Sequence, residues 1–377
     1  MAPVRPENEF VQPICPALIL CQPETGALKV AALTLLDRLV VACHRAGCHP
    51  IRIVCAGALP ALRRAGALNI SIEISAAMPS LTGPTLVAEC RMIAQAADVK
   101  AVVVQRGRLL DAIGERLPLG VVSNHLQGDL GNALKGLPLI RAEGVAANVV
   151  DTTSARQAEK ALWNSLGSSS DGVVDKYVNR PLGRFLSKAL IHTPITPNQV
   201  TVISALVGLV GAYYFAVGNY LAGVTAALLL QLSALIDCVD GDIARIVFKE
   251  SPIGKWLDIG LDQVVHVAAF AGIAIGLSQQ GTQAPVLWLG ASAVAGTLIS
   301  FPVVLRGRLL SDKEAGTRLE KFIDAASTRD FTVLVLFLAL VEKLHWFLWL
   351  TGITVHVFWI TALFLQLPKS SKVRPAA

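Results

Sequence analysis

The residues of this sequence best suited to chemistry are carboxylates, small residues and one arginine that recur at fixed spacing in two neighbouring apolar segments. In chain order they are Asp237, Asp240, Gly241, Ala244, Arg245, Gly254, Asp258 and Asp262. In a helix, which turns by about 100° per residue, the first five share one face and the last three share another. A short connection makes two such helices antiparallel neighbours. The pattern therefore predicts four carboxylates that converge at one end of a helical bundle.

These residue types fit chemistry on a pyrophosphate. A divalent metal ion is needed to neutralise such a substrate, and carboxylates are the hard oxygen ligands that this ion prefers. Gly241 and Ala244 let a nucleotide approach the helix backbone, and Arg245 offers a charge-assisted hydrogen bond to phosphate. A carboxylate beside an acceptor hydroxyl can take its proton as the oxygen attacks phosphorus. The pattern predicts metal-dependent transfer of a substituted phosphate group.

Three other interpretations compete with this one. The aspartates can simply solvate a loop, although charged residues inside apolar spans are costly and usually functional. An ion or proton transporter also uses a carboxylate relay, but it does not need the interleaved small residues and arginine. A non-enzymatic membrane scaffold for a soluble domain is the third. Release of a nucleotide from a pyrophosphate donor by the purified protein separates the enzyme from all three.

The elements that carry these residues are predicted to span a membrane. Residues are 53% hydrophobic and 16% charged, where soluble proteins have about a quarter charged. The net charge of +6 does not indicate nucleic-acid binding, because basic residues cluster at the ends of apolar segments. Several of these segments approach the ~20 residues that cross a bilayer. We predict six spans near 199–218, 220–247, 254–278, 285–305, 328–343 and 346–367.

Lysine and arginine mark one side of the predicted bundle. They are concentrated in the joints after the second and fourth spans and in the tail, while the opposite joints hold one such residue, Lys343. The positive-inside rule then places both termini and the carboxylates on the cytoplasmic side of the inner membrane. Residues 1–16 hold no apolar signal core, which agrees with a cytoplasmic amino-terminal domain.

The amino-terminal part is predicted to be an α/β domain. Short apolar runs at Ala17–Cys21, Ile51–Cys55 and Ala101–Gln105 predict strands, and Ala27–Ala46 predicts an amphipathic helix. Strands separated by helices of this length are typical of parallel βαβ units. The seven cysteines contain no CxxC pair and are interpreted as reduced thiols.

Four regions follow along the chain. Residues 1–167 form the soluble domain, 168–195 a polar linker with a basic amphipathic helix, 196–367 the membrane domain, and 368–377 a basic cytoplasmic tail. The helix, at about Lys176 to Ile191, alternates apolar and basic residues as helices that lie along an anionic membrane surface do.

The eight spaced residues resemble the signature of the CDP-alcohol phosphotransferase family, Asp-x2-Asp-Gly-x2-Ala-Arg-x8-Gly-x3-Asp-x3-Asp, at every fixed position. The segment Thr196–Thr201 also resembles the family's entry to its first span. The resemblance implies a six-helix membrane domain, usually a homodimer, that takes a CDP-alcohol donor and a hydroxyl acceptor among membrane lipids. It implies two Mg²⁺ or Mn²⁺ ions.

The resemblance also implies roles for single residues. Metal ligands would be Asp237, Asp240, Asp258 and Asp262, of which Asp262 would also be the catalytic base. The cytidine diphosphate would be held by Asp237 together with Asn198, Thr201, Gly241, Ala244, Arg245 and Gly254.

The amino-terminal domain carries a second resemblance. Val150–Glu159 is similar to the closing helix of sugar-nucleotidyltransferase-like domains, and this fusion resembles bifunctional inositol-phosphate cytidylyltransferases that make CDP-inositol and then use it. However, Cys21–Ala27 lacks the glycine-rich loop that cradles a triphosphate. Gln105–Gly107 also stands where a metal-binding aspartate is expected. We therefore predict a degenerate, non-catalytic domain.

The acceptor is left open by the motif, which concerns the shared donor. Inositol phosphate, glycerol phosphate and a lipid hydroxyl all remain candidates, and the carrier can bear a lipid or a polar alcohol. Arg306 ends the fourth span and Arg329 opens the fifth on the same side. Arginine binds phosphate bidentately, so these two residues are the candidates for a phosphorylated acceptor.

Overall fold

The computed structural model describes residues 15–123, 129–167, 171–282, 284–311, 319, 322–323 and 330–366. The chain divides into two compact units. The first contains Met1–Leu166 and Ile246–Phe248, and the second contains Gly167–Arg245 and Lys249–Ala377. The predicted succession of an α/β part and a helical part is confirmed.

The first unit is built on a mixed seven-stranded sheet in the order β10-β8-β9-β6-β1-β4-β5. Strands β5, β4, β1 and β6 are parallel, whereas β9 pairs antiparallel with both β6 and β8. Two small antiparallel pairs, β2–β3 and β7–β11, lie outside this sheet. The strands are β1 (Cys15–Cys21), β2 (Lys29–Val30), β3 (Leu33–Thr34), β4 (Cys48–Cys55), β5 (Ile72–Ser75), β6 (Thr85–Glu89), β7 (Met92–Ile93), β8 (Arg108–Leu110), β9 (Arg116–Val122), β10 (Leu139–Arg141) and β11 (Ala147–Asn148).

The helices of this unit cover the sheet and complete its core. They are α1 (Pro23–Gly26), α2 (Leu35–Arg45), α3 (Arg63–Ala67), α4 (Ala96–Gln105), α5 (Leu130–Ala133) and α6 (Thr152–Ser165). The main core joins α2 and α4 to the buried sides of β1, β4, β6 and β9. Asp151 caps α6 by accepting the backbone N–H of Ser154 at 2.7 Å.

Two predictions about this unit were wrong. Ala101–Gln105 is the second half of helix α4, in which Val99, Val102 and Val103 are buried at helical spacing. A short apolar run cannot distinguish a strand from a buried helical segment. Helix α2 also begins at Leu35, eight residues later than predicted, because β2 and β3 form a hairpin whose turn, Ala31–Ala32, has positive φ angles.

All seven cysteines are free and buried, which agrees with the prediction of unpaired thiols. Cys43 is fully enclosed by the core, and this burial raises the pKa of its thiol to about 12. A thiol with so high a pKa is a packing residue, since the thiolate is the reactive form.

The second unit is helical. A π-helical turn, Asp175–Asn179, leads into α7 (Arg180–Leu190). The longer helices are α8 (Pro197–Val217), α9 (Tyr220–Ile246), α10 (Pro252–Gln279), α11 (Val286–Ser311) and α13 (Leu344–Leu365), with the shorter α12 (Phe331–Leu340) before the last. In the described part of the chain, five helices are long and apolar enough to cross a membrane, so the protein is a membrane protein.

The predicted fifth span differs from the others. Helix α12 has ten residues, which is about 15 Å of helix and half the apolar thickness of a bilayer. Glu342, with a φ of 58°, and Lys343 interrupt the apolar sequence between α12 and α13. The count of six full-length spans is therefore not found among the described residues.

Helix α7 turns its small and polar side chains inward. Arg180, Gly183 and Ser187 are buried, and a Cβ at Gly183 would lie 3.5 Å from the carbonyl oxygen of Leu235 on α9. Leu182 and Phe185 on the other face are exposed, Phe185 by 83%. An apolar face directed away from the helical bundle suits contact with lipid, as predicted for an interfacial helix.

Helices α8 and α10 approach closely at the end of the bundle opposite the motif. A Cβ at Gly272 would collide with the carbonyl oxygen of Ala212, and one at Gly276 with that of Phe215. Small residues of this kind allow membrane helices to pack backbone against backbone.

Candidate active site

The motif lies where the carboxy-terminal end of α9 meets the amino-terminal ends of α8 and α10. Two capping arrangements define these helix starts. Thr196 and Gln199 form a reciprocal capping box at α8, whose first helical residue is Pro197. Ser251 accepts the N–H of Gly254 at 3.0 Å and so caps α10. Residues a few positions into each helix are thereby fixed in orientation.

Three of the four predicted metal ligands come together. Oxygen atoms of Asp237, Asp240 and Asp258 all lie within 4.8 Å of one another, the first two buried and the third half-buried. Asp262 is one helical turn further along α10, also half-buried, and does not join this group. We call the three residues the carboxylate cluster.

The cluster fits a divalent cation. Around an octahedral Mg²⁺, with bonds of about 2.1 Å, ligand oxygens lie about 3 to 4 Å apart, so small side-chain rotations would bring these three into place. Like charges at this separation repel strongly where water is scarce. Within the described residues this is the single group of three or more acidic, histidine or cysteine side chains with such geometry.

Thr201 supports the cluster directly. Its hydroxyl, which is buried on α8, is hydrogen-bonded to Oδ2 of Asp240 and lies 3.1 Å from the carbonyl oxygen of Pro197. The sequence predicted a contact between Thr201 and the cytidine diphosphate. The structure adds a hydrogen bond from this residue to a carboxylate of the cluster, and its contact with the cytidine diphosphate stays a prediction.

Asn198 and Gly254, two predicted nucleotide contacts from different helices, are neighbours. A Cβ at Gly254 would lie 2.8 Å from Oδ1 of Asn198 and 3.0 Å from Oγ of Ser251. A larger residue at Gly254 would have to displace the side chains of Asn198 and Ser251, and both Asn198 and Gly254 are partly accessible.

Arg245 lies over Gly241, one turn earlier on α9. Its two terminal nitrogens are each 3.3 Å from the position of a Cβ at Gly241. Gly241, Ala244 and Arg245 are all partly accessible, so the small residues leave the helix surface open beside a guanidinium group. A phosphate can approach the backbone at this point.

Sequence reasoning missed Asp242, the second aspartate of the Asp240-Gly241-Asp242 run. Its side chain is fully buried, and its Oδ1 accepts hydrogen bonds from Arg180 at 2.9 Å and from Arg245 at 3.0 Å. Arg180 also donates to Asp171. The available signal was the acidic residue itself, at a position where the motif requires none.

The candidate acceptor residues are only partly described. Arg306 is exposed on α11. Arg329 lies outside the described residues. Its neighbour Asp330, expected to pair with it, accepts the backbone N–H groups of Val173 and Val174 at 2.9 Å each. This carboxylate therefore holds the chain just before the π-helical turn.

Five candidate spans and a carboxylate cluster at one end of the helical bundle form an arrangement that suits a divalent cation and an anionic ligand. Residues 194–366, a little under half of the chain, match the family model of the CDP-alcohol phosphatidyltransferases. The resemblance expected from the motif is thus confirmed.

Two proteins with related sequences match parts of this chain. The bifunctional IPC transferase and DIPP synthase of Rubrobacter xylanophilus is 30% identical over 188 residues, 50% of this chain and 41% of that protein. The archaetidylinositol phosphate synthase of Pyrococcus horikoshii is 36% identical over 99 residues, 26% of this chain and 50% of that protein. The chain thus spans less than half the length of the bifunctional relative.

Among solved structures, the phosphatidylinositol phosphate synthase of Mycobacterium tuberculosis with manganese and citrate matches at a TM-score of 0.39 and 15% identity, covering 52% of this chain and 93% of that one. The same enzyme with CDP-DAG bound matches at a TM-score of 0.38 and 17% identity, covering 52% of this chain and 100% of that one.

Proposed function

We propose that this protein transfers a phospho-alcohol group from a CDP-alcohol to an acceptor hydroxyl and releases CMP, in the synthesis of a phospholipid or a related phosphodiester. The observation that carries the proposal is the carboxylate cluster. Buried aspartates from two helices face one another at the end of an apolar bundle, where such charges are costly unless they serve a ligand. The family match of the surrounding residues supports the same reaction.

The roles of the residues follow from their placement. Asp237, Asp240 and Asp258 would hold Mg²⁺ or Mn²⁺, which supplies charge neutralisation of the pyrophosphate. Thr201 keeps the carboxylate of Asp240 oriented towards its two partners. The accessible helix surface at Gly241 lets the donor phosphate approach α9, where the guanidinium group of Arg245 is in reach.

Asp262 would act as the base. It lies about one turn beyond Asp258 on the same helix and beside the carboxylate cluster, where it would take the proton of an acceptor hydroxyl that approaches the cluster. The hydroxyl oxygen then forms the new bond to phosphorus, and the bond from phosphorus to the CMP oxygen breaks. The same proposal includes a second metal ion, with Asp262 as one of its ligands.

The setting of the reaction is also proposed. A location in the inner membrane, with the active site and both termini cytoplasmic, is supported by the basic joints after the second and fourth predicted spans. The homodimer is proposed from the family resemblance alone. The acceptor is an alcohol that can carry a phosphate, with Arg329 as its main candidate contact and the exposed Arg306 as a weaker one.

The direct test is release of CMP by the purified full chain. A panel of CDP-alcohols, bearing lipid or polar alcohols, is offered with Mg²⁺ and with candidate acceptors. We expect CMP release that EDTA abolishes and that Asp240→Asn lowers by at least about a hundredfold, as loss of a principal electrostatic contact does. Glu342→Gln is the matched control, since it removes an exposed carboxylate at the other end of the bundle.

Several results would reject the proposal. Turnover that survives EDTA, or near-normal activity of Asp240→Asn, would contradict the metal site. Proton or cation flux into vesicles without CMP release would favour a transporter instead. The absence of both flux and CMP release would favour a scaffold.

The amino-terminal unit is proposed to be non-catalytic. The segment after β1 folds as the four-residue helix α1 rather than as a glycine-rich phosphate loop. The second sequence argument, a missing aspartate at Gln105–Gly107, no longer applies because that segment ends a helix. The full chain, given CTP, Mg²⁺ and alcohol phosphates, should release no pyrophosphate, and clear release with any of them would overturn this proposal.

A further inference from the structure

Asp242 is the most deeply buried charge near the proposed site. Its side chain is inaccessible to solvent, and Oδ1 accepts hydrogen bonds from two arginines, Arg180 at 2.9 Å and Arg245 at 3.0 Å. Arg180 is itself buried and completes its hydrogen bonds with Asp171. Two arginines and two aspartates therefore form a neutral network of charge-assisted hydrogen bonds.

Arg245 is held by one nitrogen only. Nη2 donates to Asp242, while Nε is buried and has no hydrogen-bond partner among the described residues. A buried N–H without a partner is costly, and in a native protein it calls for an explanation such as a ligand. The side chain is 37% exposed, so one end of the guanidinium group is anchored and the rest is accessible.

We propose that Asp242 is a positioning residue that fixes the guanidinium group of Arg245 for the pyrophosphate of the donor. A free arginine side chain loses considerable rotamer freedom when it binds phosphate. A carboxylate that already holds Nη2 removes most of that cost and aims the remaining N–H groups at the ligand. The proposal rests on the proposed function, since it names how that donor is recognised.

The competing explanation is structural. Asp242 also bonds to Arg180, so it connects α9 to the start of α7. If this connection is its whole role, removing Asp242 should harm folding and leave recognition of the donor unchanged. The positioning role of Asp242 depends on Arg245, whereas its structural role depends on Arg180.

A double-mutant cycle between Asp242 and Arg245 separates them. Asp242→Asn, Arg245→Ala and the combined variant are compared with wild type, and KM is measured separately for the CDP-alcohol and the acceptor. We expect Asp242→Asn to raise the donor KM by about tenfold, with little change in the acceptor KM. The double variant should be no worse than Arg245→Ala, because Asp242 acts through Arg245.

Two variants serve as matched controls. Arg180→Gln removes the connection to α7, and Asp171→Asn weakens the support of Arg180; both keep the hydrogen bond between Asp242 and Arg245. Both are expected to lower the melting temperature and to leave the donor KM within about twofold of wild type. A tenfold rise of the donor KM in either control would support the structural explanation and overturn the proposal.

A binding measurement gives a readout that does not need turnover. With Mg²⁺ present and no acceptor, the shift in melting temperature caused by a millimolar CDP-alcohol should be smaller in Asp242→Asn than in wild type. An equal shift, an unchanged donor KM, or effects that multiply in the double variant would each overturn the proposal. If Asp242→Asn does not fold, Asp242→Glu keeps the charge but displaces the guanidinium group, and the same outcomes apply.

Failure of the proposed function can be distinguished from failure of the role proposed for Asp242. If wild type releases no CMP from any CDP-alcohol, the reaction itself is wrong, whatever the variants do. If wild type is active and Asp242→Asn has a normal donor KM, only the role of Asp242 is wrong.

Discussion

The two units of this protein treat buried aspartates in different ways. In the amino-terminal unit, Asp37 accepts the backbone N–H groups of Arg64 and Ala65 at 2.7 and 2.8 Å, and so caps α3. Asp98 likewise accepts those of Glu143 and Gly144. In the membrane unit, the oxygens of the carboxylate cluster are directed at one another.

This difference distinguishes aspartates that stabilise the fold from aspartates that are placed for a ligand. A carboxylate surrounded by N–H donors is stabilised by the fold and holds neighbouring segments in place. Carboxylates gathered within 4.8 Å of one another repel, so the fold bears a cost that a cation can offset. Burial alone does not distinguish the two cases, because Asp37 and Asp98 are even less exposed than Asp237 and Asp240.

The amino-terminal unit also stabilises a buried cation through hydrogen bonds to its own backbone. The guanidinium group of Arg38 donates to the carbonyl oxygens of Val30 and Ala31 at 2.7 and 3.1 Å. Burial lowers the pKa of Arg38 to about 10, which still leaves it charged at neutral pH. Its hydrogen bonds hold the β2–β3 turn, where Ala31 and Ala32 have the positive φ angles that favour glycine.

The largest effect should come from neutralising one member of the cluster. Asp258→Asn is expected to lower CMP release by at least about a hundredfold while the melting temperature stays the same or rises, because a repulsive charge is removed. Asp98→Asn makes the same chemical change in the other unit. It should retain normal turnover per folded molecule. A loss of stability in Asp258→Asn without loss of activity would erase the distinction between the two units.

A smaller effect is expected when a capping carboxylate is removed. Asp37→Asn should cost about 2 kcal/mol, since two charge-assisted hydrogen bonds to α3 are weakened. Hydrogen exchange of peptides that cover α2 and α3 should accelerate by roughly thirtyfold. Glu73→Gln is the control, because its exposed ion pair with Arg52 is worth little. Equal exchange rates in the two variants would contradict the architectural role of Asp37.

The smallest predicted effect concerns the acceptor. Arg329→Ala should raise the KM of a phosphorylated acceptor by about fivefold at saturating CDP-alcohol, since one charge-assisted contact is lost. Arg306→Ala, which removes an exposed cation, should change it by less than about twofold. An unchanged acceptor KM in Arg329→Ala would indicate that Arg329 is an ordinary basic residue at the membrane surface.

The sequence predicted most of the site and less of the architecture. Helical periodicity predicted that Asp237 and Asp240 share a face of α9, and the short connection to α10 predicted that Asp258 lies near them, as the structure shows. The contact between Thr201 and Asp240 joins different helices, and no periodicity within one helix indicates such a pair. Asp242 was missed for the same reason, since its partner Arg180 precedes it by 62 residues.

The errors in secondary structure also have physical causes. The run Ala101-Val102-Val103-Val104 has the composition of a strand, yet the helix that begins at Ala96 buries two of its valines on one face. The boundary of α2 was displaced because a two-residue hairpin turn made of alanines gives no glycine signal. In the membrane unit, apolar composition identified α12 but not its length of ten residues.

The glycine contacts between α8 and α10 have a mechanical consequence. At Gly272 and Gly276 the two backbones approach so closely that a Cβ would collide with a carbonyl oxygen of α8. Nearer the motif the same two helices meet again, where a Cβ at Gly254 would lie 2.8 Å from Oδ1 of Asn198. Close contacts at both ends of the pair resist a change in the angle between α8 and α10. Thr201 and Asp258 are therefore carried on a stiff pair of helices.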